Sequence, residues 1–147
     1  MSDFEVSFSL EGRVVVVTGA AQGIGQGVAA AAAGAGADVA VVDLTEDASA
    51  ETAALVERTG RRALRVGVDV GDRDAVFAAF DRIVAELGRV DGLVNCAAVI
   101  SENVPVQDAR EEDMDRLWRV NVKGGLFCAQ SIAWLRVIAV TAPFVAV

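Results

Sequence analysis

The sequence predicts an α/β protein built on a doubly wound parallel sheet, and three observations predict it. Four consecutive valines, Val14–Val17, run into a glycine-rich turn and then an alanine-rich stretch, in the order strand, turn, helix. Short apolar runs then alternate with amphipathic stretches along the chain, as βαβ units do. The apolar runs stop at Thr18, Asp43, Asp69 and Asn95, polar residues that a parallel sheet brings to one crevice at its carboxyl edge.

Residues 1–12 read as a lead-in, with Phe8 and Leu10 packing under the first strand. Val14–Val17 is β-branched without alternation, which fits a strand covered on both faces. Gly19, Gly23, Gly25 and Gly27 follow, where the backbone turns tightly and can approach a bulky anion because no Cβ stands in the way. The helix running through Val28–Ala33 aims its free N–H groups and partial positive charge at that turn, and Gly34–Gly36 ends it. Asp38–Val42 is a second strand closed by Asp43, and Glu46–Thr59 an amphipathic helix stopped by Gly60. Ala63–Val68 is a third strand ending at Asp69. Asp72–Leu87 is the clearest helix, with Val76, Phe77, Phe80, Ile83, Val84 and Leu87 on one face and Gly88 after it. Gly92–Asn95 is a fourth strand, Ser101–Asp108 a polar loop, and Glu111–Gln130 or beyond a long helix. Val137–Val140 is a candidate fifth strand, so about four to five strands are expected in a single domain over residues 1–147.

Composition narrows the function. A 54% hydrophobic content and a mean hydropathy of +0.44 fit a fully buried sheet together with a subunit interface. The net charge is −8, with no basic cluster beyond Arg61-Arg62, which argues against nucleic acid as a partner. The start lacks the basic region of a secretory signal. The longest apolar run, Val137–Val147, is too short to span a bilayer and is interrupted by Thr141 and Pro143, so no membrane is expected. Two cysteines without ligand spacing and no histidine point to a reduced, cytoplasmic, metal-free protein. There is no tyrosine either, which removes mechanisms that use Tyr or His as acid or base.

A diphosphate is the natural guest of the glycine turn. Asp43 lies roughly 20 residues after it, where a carboxylate accepts both hydroxyls of an adenosine ribose. The same carboxylate repels a 2′-phosphate, and neither Gln22 nor Leu44 supplies an offsetting positive charge. NAD is therefore expected in preference to NADP. The plainer alternatives are glycines kept for strand–helix packing and an aspartate that serves the turn or caps a helix.

The segments T18-G19-A20-A21-Q22-G23-I24-G25, D69-V70, N95-C96-A97-A98 and N121-V122-K123-G124 resemble the short-chain dehydrogenase/reductase family. Its TGxxxGxG turn is matched in full, whereas its NNAG segment stands here as NCAA, departing at Cys96 and Ala98. The resemblance implies a Rossmann-type sheet and an oxidoreductase that moves hydride between NAD(H) and a secondary alcohol or ketone. It also implies that Gly19, Gln22, Gly23, Ile24 and Gly25 form the cofactor turn. Asp69 would bind the adenine amino group and the Val70 N–H the ring, while Asn95 and Ala97 flank the cofactor ribose. Asn121 would support a water in the proton relay; without the family it reads as a buried polar residue that packs a helix.

The likeness covers about residues 8–130. The family continues with a strand bearing a catalytic Ser and a helix bearing Tyr-x-x-x-Lys, whereas residues 131–147, SIAWLRVIAVTAPFVAV, diverge. Ser131 and Thr141 are the hydroxyls near the candidate fifth strand, and Lys123, the sole lysine, belongs to the Asn121 motif. The expectation is a chain that binds NAD and lacks the catalytic half. The alternatives are a non-catalytic dinucleotide-binding module and a structural or oligomerisation protein. Cys96 is a weaker candidate nucleophile, since no histidine is present to activate it. A homo-oligomer is expected from an open sheet edge near Gly92–Asn95 or Val137–Val140 and from Met114, Leu117, Trp118, Leu126 and Phe127 on the long helix. The family's dimerisation through that helix and the one before it points the same way. The alternative is that the tail Ile132–Val147 covers the edge itself.

Overall fold

Four parallel strands form one sheet in the order β3-β2-β1-β4, with β1 Val14–Thr18, β2 Asp38–Asp43, β3 Ala63–Gly67 and β4 Gly92–Asn95. The computed structural model describes residues 9–141, and side chains through Leu135. In the register, Val16 lies opposite Ala40 on one side and Leu93 on the other. The chain winds outward from β1 through β2 to β3 and then returns to place β4 on the far side of β1. Strand order thus reverses between β1 and β4, and a crevice opens above that point.

The valine run explains the two layers. Alternate side chains point to opposite faces. Val15 and Val17 join Val39, Val41, Ala29, Ala32 and Val56 under α1 (Gly23–Gly34) and α2 (Ala50–Glu57). Val16 joins Ala40, Val42, Val66, Phe80 and Ile83 on the opposite face. That face is covered by α3 (Arg73–Leu87), which supplies Phe80 and Ile83, and by α5 (Gly125–Thr141), which supplies Cys128. Leu10 packs against the first of these clusters as expected, while Phe8 lies outside the described residues.

The elements follow the sequence with local differences. β3 buries only Leu64 and Val66 and exposes Arg65 and Gly67, as suits an edge strand with one covered face. The second helix begins with a 3₁₀ turn at Asp47–Ser49 before α2 proper. Helix α3 is capped as its sequence directs: Asp72 Oδ1 accepts the Ala75 N–H at 3.1 Å, and Gly88 closes the helix at φ +88°. The long helix is more elaborate than its pattern suggests. It comprises α4 (Glu111–Leu117), a π turn over Trp118–Gly124, and α5.

The expected fifth strand at Val137–Val140 is not formed, because those residues are the last turns of α5. No glycine or proline stands between Gly125 and Thr141, and extending an existing helix is easier than ending one and starting a strand. The sheet therefore has four strands among the described residues, and none of them pairs with the outer edge of β4. Residues 132–141 of the tail run on as helix; those beyond lie outside the described residues.

The lower end of the sheet is held by two aspartates. Asp38 accepts Arg62 N–H at 3.0 Å and pairs with Arg61 at 3.1 Å, so the one basic pair in the sequence serves the sheet. Asp91 accepts the Val14 N–H at 2.9 Å and pairs with Arg89 at 2.6 Å and Arg13 at 3.2 Å, tying the start of β4 to the start of β1. Burial pushes the Asp91 carboxyl up, but the hydrogen bonds from Arg89, Val14 and Arg13 pull it below its ordinary value of 3.8. A group with a lowered folded pKa contributes stability that is full above the ordinary carboxyl range and is lost as pH falls through the lowered value. Asp91→Ala, which leaves the buried Val14 N–H without this partner, is expected to cost about 1–3 kcal/mol in urea unfolding at pH 7. The cost should shrink as the pH drops below about 4, and a cost independent of pH would refute the role of the ionised carboxylate.

Candidate functional site

The site is built on the turn between β1 and α1. Gly19 has φ +63°, and a Cβ there would come within 2.5 Å of the Ala97 nitrogen, so the chain leaving β4 crosses directly over it. Gly25 sits in the first turn of α1, where a Cβ would collide with the Gly19 carbonyl oxygen. These two glycines let strand, helix and loop meet with backbone against backbone. Gly27 plays no such part, since a Cβ there would meet nothing within 4 Å. The N-terminus of α1 is left open: its N-cap, Gln22, makes no side-chain cap, and the first turn carries no acid.

Buried side chains fix this turn from below. Thr52, fully buried on α2, donates its hydroxyl to Ala20 O at 2.8 Å and accepts from Gln26 Nε2 at 3.2 Å. Thr18 Oγ1 accepts the Ala97 N–H at 3.3 Å and lies 3.4 Å from Asn95 Oδ1. Asp43 closes the other side, its Oδ2 accepting the Ala21 N–H and its Oδ1 the Leu44 N–H, both at 2.8 Å. That is the turn role of the plainer reading. It leaves each oxygen with a further lone pair, and Asp43 lines the crevice.

The crevice has a volume of about 650 Å³. Gly19, Gln22, Ile24, Gly25, Asp43, Asp69, Val70 and Ala97 line it. Two residues expected there do not: Gly23, the first residue of α1, and Asn95, at the tip of β4 against Thr18. Asn121 is not a lining residue either. It lies exposed on the π turn and clamps the loop after β4, its Oδ1 accepting Val99 N–H and its Nδ2 donating to Val99 O, each at 2.9 Å. The reading of Asn121 as a buried packing residue is therefore set aside, and a long i→i+5 turn presents it to the loop. Gly124 lets that turn come close to the sheet, since a Cβ there would reach 2.8 Å from Val70 Cγ2.

Cys96, weighed above as a nucleophile, and Ala98 of the same segment also line the crevice, and sequence reasoning missed Val99, Arg116, Arg119 and Val120, which line it as well. Arg119 Nη1 donates to Asp69 Oδ2 at 2.7 Å, and Arg116 Nη2 donates to Ile100 O at 2.9 Å. The i, i+3 arginine spacing is a signal in the sequence, but it fits a solvated helix face equally well. A hydroxyl at Thr52 between Ala50, Ala53 and Val56 on an apolar stripe was the available sign of its buried role. Burial pushes the Cys128 thiol up to about 11 and leaves it inert in the core, while Cys96 is half-buried at the crevice.

The family model for short chain dehydrogenases matches residues 13–136. The chain belongs to that family. Among its relatives are L-2,3-butanediol dehydrogenase of Corynebacterium glutamicum, 40% identical over 121 residues (81% of this chain, 46% of the relative), and 2-dehydro-3-deoxy-D-gluconate 5-dehydrogenase of Escherichia coli K12, 39% identical over 127 residues (86% and 49%). Similar solved structures include a short-chain type dehydrogenase/reductase from Mycobacterium marinum, with a TM-score of 0.82 and 37% identity over 86% of this chain and 51% of that one. Carveol dehydrogenase from Mycobacterium avium, solved in complex with NAD, gives a TM-score of 0.79 and 29% identity over 84% and 49%. The chain spans about half the length of the curated relatives it matches. Among the described residues of this short-chain dehydrogenase chain, no helix is long and apolar enough to cross a membrane, and no group of His, Cys, Asp and Glu is placed to hold a metal ion.

Thr52→Val keeps the shape and removes the hydroxyl, leaving Ala20 O without its 2.8 Å donor. It is expected to lower stability by about 1–3 kcal/mol, read as a lower urea midpoint at unchanged slope. An unchanged midpoint would show that the turn does not depend on this bond.

Proposed function

We propose that this chain binds NAD across the carboxyl ends of its strands. On that reading it is the nucleotide-binding part of an oxidoreductase that exchanges hydride between NAD(H) and a secondary alcohol or ketone. The observation that carries it is the pairing of an uncapped helix N-terminus behind a glycine turn with Asp43, held at the rim of the same crevice by the Ala21 and Leu44 N–H groups. The NAD in the carveol dehydrogenase structure supports the cofactor, and the names of the relatives support the class of reaction. Gly19, Gln22, Gly23, Ile24 and Gly25 would hold the diphosphate and Asp43 the adenosine ribose. Asp69 and Val70 would meet the adenine, and Asn95 and Ala97 the other ribose. Asn121 would act indirectly, by holding Val99 and so the loop beside Ala97. When bound, NAD supplies the hydride acceptor.

NAD is preferred over NADP in this proposal because a 2′-phosphate would lie against the Asp43 carboxylate. The crevice arginines are engaged elsewhere, Arg119 on Asp69 and Arg116 on the Ile100 carbonyl. The 147 residues contain no Tyr and no His for proton exchange with an alcohol, so the chain by itself is expected to bind without turnover. The non-catalytic module remains the alternative for the chain alone. In calorimetry NAD should bind at least about tenfold more tightly than NADP, and Asp43→Ala should weaken NAD by about tenfold. Equal affinity for both dinucleotides would defeat the preference, and alcohol-dependent NAD reduction that vanishes in Asn121→Ala would defeat the non-catalytic reading.

The chain is further proposed to be a homo-oligomer. Met114, Trp118, Val122 and Leu126 follow one another at i, i+4 spacing and are each roughly half exposed, beside a sheet whose β4 edge is unpaired among the described residues. Phe127 is excluded from this surface because it packs against the core, and Leu117 is half-buried. Light scattering at micromolar concentration should show a species heavier than the 15.2 kDa chain, and a monodisperse monomer would refute it.

A further inference from the structure

The ion pair between Arg119 and Asp69 lies on the lip of the crevice, with side chains 46% and 40% exposed. Exposed pairs of this kind add little to stability, so the fold itself gives little reason to keep it. Yet the surroundings are shaped for it. Gly71 is not in the left-handed region, so its backbone conformation does not demand glycine. What a side chain would meet there is the Arg119 guanidinium, whose Nη1 lies in the space a Cβ would need. The π turn carries Arg119, and Gly124 in the same turn lets it lie close against Val70.

We propose that Arg119 is a positioning residue for purine recognition, setting the Asp69 carboxylate to select a 6-amino purine over a 6-oxo one. This rests on the NAD site proposed above. The carboxylate is held from two directions, Oδ1 by the Gly71 N–H at 2.8 Å and Oδ2 by Arg119 Nη1 at 2.7 Å. With both oxygens pinned, rotation of the carboxylate is fixed, and its remaining lone pairs are left to accept from a donor in the crevice that Asp69 lines. An exocyclic amino group donates there; a carbonyl oxygen at the same position would face a carboxylate and be repelled. Burial raises the Asp69 carboxyl, but the Arg119 hydrogen bond, the Gly71 N–H and the Arg119 charge lower it further than burial raises it. Without Arg119 the carboxylate can turn, and its discrimination between amino and oxo purines falls.

The test compares NAD with nicotinamide hypoxanthine dinucleotide, which carries an oxo group in place of the 6-amino group and a hydrogen on the neighbouring ring nitrogen, by calorimetry on the 147-residue chain, in parent and variants alike. The parent should favour NAD by about tenfold or more. Arg119→Met should narrow the preference severalfold, mostly by weakening NAD, since the part set by the Val70 N–H at the ring stays, and Arg119→Lys should restore part of what is lost. Gly71→Ala, which leaves Arg119 in the chain and displaces it, should act in the same direction and serves if Arg119→Met does not fold. A parent that favours NAD alongside variants that keep the full preference would overturn the role of Arg119 and leave the NAD site standing. Equal weakening of both dinucleotides in Arg119→Met would also overturn it, as a general structural effect. A parent that binds neither dinucleotide would remove the NAD site, and this inference with it.

Discussion

The structure depends on a single close approach, the passage of the backbone around Ala97 over Gly19. A Cβ at Gly19 would lie 2.5 Å from the Ala97 nitrogen, so no side chain can stand between β1 and the loop that leaves β4. Gly25 extends the constraint to α1, since a Cβ there would strike the Gly19 carbonyl. The position of the helix N-terminus, the floor of the crevice and the path of the β4 loop all follow from these contacts. Thr52, Thr18 and Asn121 then hold what the glycines allow: Thr52 grips the turn from α2, Thr18 holds the Ala97 N–H, and Asn121 clamps Val99. Thr52 and Thr18 satisfy backbone groups set away from water, whereas the Asn121 clamp on Val99 lies at the exposed side of the loop.

Charge is distributed over this frame with a clear division. The open helix N-terminus is the positive element beside the turn, while carboxylates stand at the carboxyl end of β2, at Asp43, and just past β3, at Asp69. The two carboxylates differ in their partners. Asp43 is held by the backbone N–H groups of Ala21 and Leu44, at 2.8 Å each, whereas Asp69 shares a guanidinium with the long helix. Arg119 therefore ties the helix after β4 to the far end of the sheet across the crevice, and the π turn gives it the reach. The same helix carries an outward row of apolar side chains from Met114 to Leu126. One element thus serves the crevice with one face and presents an interaction surface with another.

Much of this was legible in the sequence because it rests on local chemistry. The valine run, the glycine spacing and the acids closing each strand have one economical three-dimensional arrangement, and the strand ends fall within a residue or two of their expected places. What was not legible depends on partners distant in sequence. Arg119 is an ordinary helix-surface arginine until Asp69 lies beside it, fifty positions earlier in the chain. Thr52 gains its role only when Ala20 lies against α2. The π turn leaves no mark in the apolar pattern, since i→i+5 bonding shifts the helix face by a single residue. Val137–Val140 misled for another reason: a short apolar run fits a strand or a buried helix equally well, and the unbroken helix before it decided the outcome.

The central claim is that the glycine turn, Asp43 and Asp69 face one bound dinucleotide. It is tested most directly by titrating NAD into the isotope-labelled chain and following backbone amide resonances. The account requires shifts at Gly19–Gly25, Leu44, Val70 and Ala97, around the crevice, with the opposite end of the sheet at Arg13, Asp38 and Arg62 unmoved. Shifts confined to Met114–Val122, on the outer face of the long helix, or no shifts at all, would contradict it.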